Sequence, residues 1–446
     1  MLFRFIIILL LINNAFSESL FNRVFPQEYY LGDARSMGMG NTFLSTGKSS
    51  MIVFSNPAKI VNLKKTFDIQ FSLNSVTERR SIVLVDGYGG FITESDYVIN
   101  QHNYLNHSFG LLLPGKNNLF GFGISQAPIY SFNYDYEEEV RADGEVDYGE
   151  FENRDPLIGY HILSTSGDLF AQSFGISFQI INSEKNKVSL GTSLNKIKSS
   201  KINDKLYVSL VDESYYEDNN ITPTDPLDLS YIVNSASYST SSLELLLNNS
   251  VNLILSFEQD VVIKTKEEIN QIEIPDELGL PLLLNLNDES GLLQFLPRGL
   301  IFNKPEKHHF GLTYKSKNNS KILVAFELTR KKWNYNNYQE AFNNKTFEYR
   351  LGFEYNAILG FPLRAGFVYS ESQFKMLEPK TIITLGTGKK FKKVTLDFAL
   401  NNSNYDYKYY DLFPDRDIFN MSCDEAVCDK IKENNLNLLT TIKVNF

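Results

Sequence analysis

Apolar and polar residues alternate with a period of two along most of the chain. Leu436, Leu438, Thr440, Ile442, Val444 and Phe446 share one phase; Asn437, Leu439, Thr441, Lys443 and Asn445 share the other. Phe347, Tyr349, Leu351, Phe353 and Tyr355 alternate in the same way with Glu348, Arg350, Gly352, Glu354 and Asn356. So do Ile322, Val324, Phe326 and Leu328 with Leu323, Ala325, Glu327 and Thr329. Successive side chains of a strand point to opposite faces, so each segment predicts a strand with one apolar and one polar face. A soluble sandwich alternates too, and connection lengths are what separate the two architectures. Short polar turns fall at Pro114–Asn118, Asn182–Lys187, Ser316–Ser320, Asn356–Phe361 and Lys389–Lys393. Long Tyr- and Asp-rich stretches, such as 128–156 and 402–435, lie between these hairpins. Short turns at one end and long loops at the other are the plan of a transmembrane β-barrel.

Clear strands fall near 66–75, 104–113, 119–127, 168–181, 187–197, 307–316, 321–331, 346–356, 361–370, 381–390, 393–402 and 436–446. That is twelve. The strand at 187–197 leaves on the long-loop side and the one at 307–316 enters from it, so an even number lies between them. Two strands within 198–306 give fourteen in all; none gives twelve. Strand is favoured for 250–264, and 278–296 stays open between strand and loop. The leucine-rich stretches 243–255 and 278–286 are read either as those two strands or as an apolar capture site for a lipophilic ligand. Closing the sheet removes its edges, which a bilayer would otherwise penalise through unpaired backbone groups.

Composition agrees with a membrane barrel. Of 446 residues, 34 are Phe and 25 Tyr but one is Trp, and aromatics reach 13% at a mean hydropathy of −0.22. Aromatic side chains on a lipid-facing phase, offset by polar residues on the other, produce that combination. No segment offers the ~20 consecutive apolar residues of a spanning helix. Residues 1–17 combine Arg4, the apolar run Phe5 to Ile12, and the small residues Ala15 and Ser17. This is a secretory signal peptide, too short in its apolar part to anchor in a bilayer, and it places the mature protein outside the cytoplasm. The formal net charge of −10 argues against nucleic acid as a partner.

Residues 32–60 are rich in Gly and small residues, with Gly32, Gly38, Gly40 and Gly47, and end in Asn56-Pro57-Ala58 just ahead of the first strand. This segment resembles the opening of the FadL/TodX family, outer-membrane channels for long-chain fatty acids and other hydrophobic compounds. Further echoes are Leu296-Pro297 ahead of Gly311–Tyr314, Trp333 ending the next strand, and Leu363-Arg364-Ala365-Gly366. Lys59 stands where the family usually has Gly. The resemblance implies an all-β, fourteen-stranded barrel in the outer membrane of a Gram-negative-type bacterium, with an N-terminal hatch in its lumen. It divides the chain into a signal peptide (1–17), a hatch (18–64) and a barrel (65–446). Gly32, Gly38, Gly40, Asn56, Pro57 and Ala58 become the hatch or gate residues, and Asn56 is placed to hydrogen-bond the barrel wall. The terminal aromatic Phe446 resembles the signal read by barrel-assembly machinery. The implied activity is passive uptake of a long-chain fatty acid or similar hydrophobic molecule, with a lateral exit into outer-membrane lipid. PorV-like barrels, which serve protein secretion or surface attachment, share the Asn-Pro-Ala segment and form the alternative.

The remaining chemistry is sparse. Glu327, Glu348, Arg350, Glu354, Arg364 and Asp397 share the lumen-facing phase; they either hold the hatch or orient a carboxylate through Arg350 or Arg364. Glu139 to Glu150 resembles the later half of a calcium loop, but Arg141 takes the third position, where an oxygen ligand is required. An acidic external loop is the better account. Cys423 and Cys428 lie before the last strand, and an oxidising compartment favours a local disulfide over metal binding by two thiolates. Five histidines show no metal spacing, and His308 and His309 are neighbours that a strand points to opposite faces. No Ser-His-Asp arrangement, phosphate loop or paired-cysteine motif appears, and neither an enzyme nor a cofactor is expected.

Overall fold

A computed structural model describes residues 26–446 except 86, 89, 116–117, 142–156, 212, 219–226, 265–300, 317–320, 335–341, 359, 376, 410–411 and 413–428. The expected signal peptide, Cys423 and Cys428, the 278–296 stretch and most of the calcium-like loop lie outside these residues. Among those described, no helix is long and apolar enough to cross a membrane.

Fourteen antiparallel strands form one closed barrel. They are β1 (Thr66–Val85), β2 (Phe91–Pro114), β3 (Phe120–Ser131), β4 (Asp168–Asn182) and β5 (Lys187–Ser199). Then come β6 (Ala236–Leu247), β7 (Val251–Glu258), β8 (Glu306–Lys315), β9 (Ile322–Lys332) and β10 (Lys345–Ile358). The barrel is completed by β11 (Phe361–Ser370), β12 (Lys380–Lys390), β13 (Val394–Tyr409) and β14 (Asp429–Asn445). Each pairs with the next, and β14 closes on β1 in a register running from Thr66↔Asn445 to Ser81↔Lys430. The even number of barrel strands within 198–306 is two, β6 and β7, a hairpin turned by Asn248 and Asn249 at positive φ. The leucine-rich stretch 243–255 is therefore this hairpin. The expected strand 250–264 is two elements: β7 ends at Glu258, and Val261–Lys264 leaves the wall to pair with Ile301–Lys304.

Alternation sorts side chains as a bilayer requires. Phe174, Leu255, Leu351, Phe353, Ile383 and Leu385 are exposed on the outer face, while Ala325, Glu327, Glu354, Asp397 and Thr441 are buried in the lumen. Hydrocarbon outside and polar or plug contacts inside give the sheet its two faces. Several strands run well past their alternating part. β1 and β2 stay paired to Val85 and Phe91, and β14 begins at Asp429 rather than near 436. Past the lipid both faces meet polar surroundings, so alternation fades although backbone pairing continues.

The long connections are also more structured than loops. Tyr134–Arg141, Leu157–Ser166, Ile202–Leu210 and Leu227–Tyr231 form a separate four-stranded antiparallel sheet at the long-loop end. Arg80, fully buried at the outer part of β1, anchors it: the guanidinium donates to Glu78 at 2.7 Å, pairs with Asp429 at 3.5 Å and lies over the Tyr136 ring at 4.8 Å.

Residues 26–64 fill the lumen as a plug of three single-turn helices, α1 (Ala34–Met37), α2 (Phe43–Thr46) and α3 (Ile52–Ser55), and a 3-10 helix, Pro57–Asn62. Helices this short do not hold themselves together, so the wall must. Asp33 caps α1 by accepting from the Ser36 N–H at 2.9 Å, and its other oxygen accepts from the Lys48 N–H at 2.7 Å. Gly40 and Asn41 take positive φ and reverse the chain between α1 and α2. Gly40 also packs so closely on β10 and β11 that a Cβ on either Gly352 or Gly366 would overlap the Met39–Gly40 backbone.

Candidate functional site

The lumen has two unlike halves. On the arc from β2 to β6, Ile52, Val53, Phe54 and Ile60 of the plug pack against Leu112, Ala127, Leu169, Ala171 and Ile197 of the wall. The same buried apolar column continues outward through Ile129, Phe132 and Tyr238 to Ile202 and Tyr231 of the outer sheet. Seen along each strand, these are the small or apolar residues of the inward phase, where the other arc carries charges.

On the arc from β7 to β14, the plug is held by ions. Arg35 of α1 donates to both oxygens of Glu354, at 2.9 and 2.8 Å. Arg364 donates to Glu354 at 2.7 Å and to Asp397 at 2.8 Å, and Lys443 pairs with Asp397 at 2.9 Å. Glu327 accepts from the Ser45 N–H at 2.7 Å and hydroxyl at 2.6 Å, with Arg350 3.6 Å away. Arg350 also pairs with Glu348 at 2.9 Å and donates to Thr329 at 2.9 Å. Further out, Glu28 pairs with Lys331 at 3.2 Å and with Lys307, while Glu258 gathers Lys304 at 3.0 Å and His309 at 3.1 Å. Buried charges persist only when paired and hydrogen-bonded, and this chain of partners meets that condition.

The structure brings some of the residues singled out from the sequence into this arrangement and leaves others apart. Glu327, Glu348, Arg350, Glu354 and Arg364 come together in the charged half, with Arg350 and Arg364 both committed to wall carboxylates. Gly38 packs on Gly386, and Gly40 on β10 and β11. Gly32 lies against the Tyr30 ring. Asn56 is fully buried, but its amide donates at 3.0 Å to the Leu44 carbonyl of the plug and not to the wall. The wall bond at that place comes from the Ala58 N–H, which donates to Ser242 Oγ at 2.8 Å, with Pro57 starting the 3-10 helix. Phe446 stands apart at the short-turn end, exposed, with the Lys65 ammonium 4.8 Å above its ring. His308 is exposed and His309 nearly buried, as their adjacency on β8 requires. The parts played by Arg35, Glu28, Glu258, Lys307 and Lys443 in holding the plug were not read from the sequence. The inward phase marks the wall members, but nothing local says which plug residue each meets.

Where the two halves meet above the plug there is a cavity of about 280 Å³. Tyr30, Phe43, Leu44 and Phe54 give it an apolar side; Glu258, Lys307, His309 and Arg350 give it a charged one. The wall beside it is incomplete. The β2–β3 ladder begins at Pro114↔Gly121 and stops at Phe109↔Gln126. Beyond that point β2 pairs only with β1 among the described strands, and β3 bulges between Pro128 and Tyr130. Gln27 and Glu28 of the plug pair instead with Ser131 and Tyr130 on the freed edge of β3. A second space of about 40 Å³ lies at this break, lined by Tyr29, Met37 and Met51 of the plug and by His107, Ser108, Ala127 and Pro128 of the wall.

A closed antiparallel barrel of fourteen strands, apolar outside and plugged by its own N-terminal segment, is a transmembrane barrel of the Gram-negative outer-membrane type. Solved structures share this fold. The chain is similar to a Pseudomonas aeruginosa FadL homologue, at 11% identity over 93% of this chain and 98% of that one, with a TM-score of 0.55. It is likewise similar to the P. putida toluene transporter TodX, at 12% identity over 94% and 99% of the two chains, with a TM-score of 0.52. Its fold is that of the FadL/TodX barrels. No protein-family model matches the sequence, and no curated protein matches it.

Proposed function

We propose that this barrel carries a hydrophobic small molecule passively across the outer membrane, long-chain fatty acids and monocyclic aromatics being the first candidates. One observation carries the reading: an apolar lumenal column leads to a cavity beside a break in the wall between β2 and β3. An apolar solute gains about 0.8 kcal/mol per methylene kept out of water, so a sideways exit into lipid is favoured over a path through the aqueous space below. The plug closes that exit, since Gln27 and Glu28 occupy the free edge of β3. Residues 26–64 then act as the gate, and Glu28, tied to Lys307 and Lys331, links the charged half of the lumen to the opening. The fold likeness to a toluene transporter supports the same direction.

The test is uptake of toluene and of oleate by liposomes holding the purified barrel. Rates equal to those of empty liposomes would sink the proposal. A disulfide between Ser108→Cys and Ala127→Cys, placed where the β2–β3 ladder would continue by one residue, should stop uptake until it is reduced. This is done in a Cys423→Ser, Cys428→Ser background. Secretion components co-purifying with an uptake-inactive barrel would favour the PorV-like role instead.

A further inference from the structure

Beneath the plug, at the short-turn end, is a larger cavity of about 640 Å³. Nine cationic side chains line it against two carboxylates, Glu354 and Asp397. Those two are already shared among Arg35, Arg364 and Lys443, so the cavity keeps an excess of positive charge after its internal pairs are formed. Lys59 is buried and donates to one carbonyl, that of Ser45. Lys48, in the turn between α2 and α3, reaches into the space, and its ammonium makes no hydrogen bond or ion pair among the described residues. The charges facing it are Arg35 of α1, Lys59 of the 3-10 helix, Lys443 of β14 and Glu354 of β10. Lys48 is exposed to this cavity, and the Arg35 guanidinium, ahead of desolvation, pulls its ammonium down to about 7.

The rim of this cavity has the same sign. Lys64 and Lys65 precede β1, Lys185 lies between β4 and β5 with Lys187 opening β5, and Lys315 and Lys321 flank the β8–β9 turn. Lys389, Lys390, Lys392 and Lys393 flank the turn from β12 to β13. Among the described residues of these turns, Glu184 is the sole carboxylate. In a chain with a net charge of −10, this end is basic, and the field of such a rim draws anions towards the mouth.

We propose that the cavity beneath the plug is a binding site for a phosphate group, drawn from the short-turn side, with Lys48 as its central cation. A dianion neutralises the local excess better than a single carboxylate, and lysines and arginines are the side chains that bind phosphate oxygens. The cavity is far larger than the ~30 Å³ of one water, so a hydrated ion or a lipid headgroup fits. Bound there, the anion ties the α2–α3 turn to the wall and stiffens the plug from below. This site is separate from the apolar passage, so it stands or falls independently of hydrophobic uptake.

The test is calorimetric titration of the full-length barrel in neutral detergent with inorganic phosphate at low salt. The expected result is one saturable site, weakened about tenfold by Lys48→Met, retained by Lys48→Arg, and lost as salt rises. Phosphate should also slow amide exchange at residues 44–48 of the unmodified protein, a readout that needs no variant. The same titration in phosphatidylglycerol nanodiscs separates the sources. Competition there, absent in phosphatidylcholine discs, assigns the site to a lipid phosphate; equal affinity in both assigns it to a free anion. Absence of saturable binding in detergent, or binding unchanged by Lys48→Met, overturns the proposal.

Discussion

The plug meets its barrel through two surfaces that follow opposite rules. Against β2–β6 it is seated by apolar packing of Ile52, Val53, Phe54 and Ile60. Against β7–β14 it is seated by the Arg35–Glu354 and Glu28–Lys331 ion pairs and by Ser45 bonded to Glu327. Apolar contact is non-directional and tolerates sliding, whereas a bidentate Arg–carboxylate pair accepts one geometry. Under the proposed function, the difference suits a plug that keeps one register on one side while a greasy molecule passes on the other. The incomplete stretch of wall, between β2 and β3, opens on the apolar half.

Breaking the charged surface should have the greatest effect. Glu354→Ala leaves Arg35 and Arg364 buried without the carboxylate they share, a loss of about 3–5 kcal/mol in plug docking. Amides of 33–48 should then exchange freely while the barrel keeps its folded mobility on unheated gels. Next is the apolar side. Ile52→Ala should cost about 2–4 kcal/mol through the cavity it leaves. Hydrogen exchange should show it loosening 51–60 and leaving 33–40 protected, if the halves act separately. Gly366→Ala drives a methyl into the Gly40 backbone and should cost about 1–3 kcal/mol by overpacking, read as a fall in thermal midpoint.

Lys48→Met is the smallest effect and carries a pH signature. The folded ammonium is held down to about 7, below its unfolded 10.5, so the unfolded chain binds the proton more tightly. The native lysine therefore destabilises fully below pH 7, and the penalty fades between 7 and 10.5. Lys48→Met should be the more stable protein at pH 6, by about 1 kcal/mol after discounting for solvent in the cavity, and the two should converge near pH 10.5. Thermal midpoints across that range in anion-free buffer check it.

Period-two alternation, read with loop lengths and strand direction, was enough to predict fourteen strands, their faces, and the inward position of Glu327, Arg350, Glu354 and Arg364. A bilayer sorts each residue by its own polarity, so that much is local information. The same dependence explains the underestimates at the outer end, where β1, β2 and β14 continue as strands after lipid stops enforcing alternation. Partner choice is different in kind. Glu354 shared between Arg35 and Arg364, Ala58 and not Asn56 on the wall, Glu28 on the freed edge of β3, and Lys48 left among cations all join residues far apart in the chain. Closure of the barrel around residues 26–64 decides these contacts, because only then do an inward phase and a plug face share one small volume from which most water is excluded.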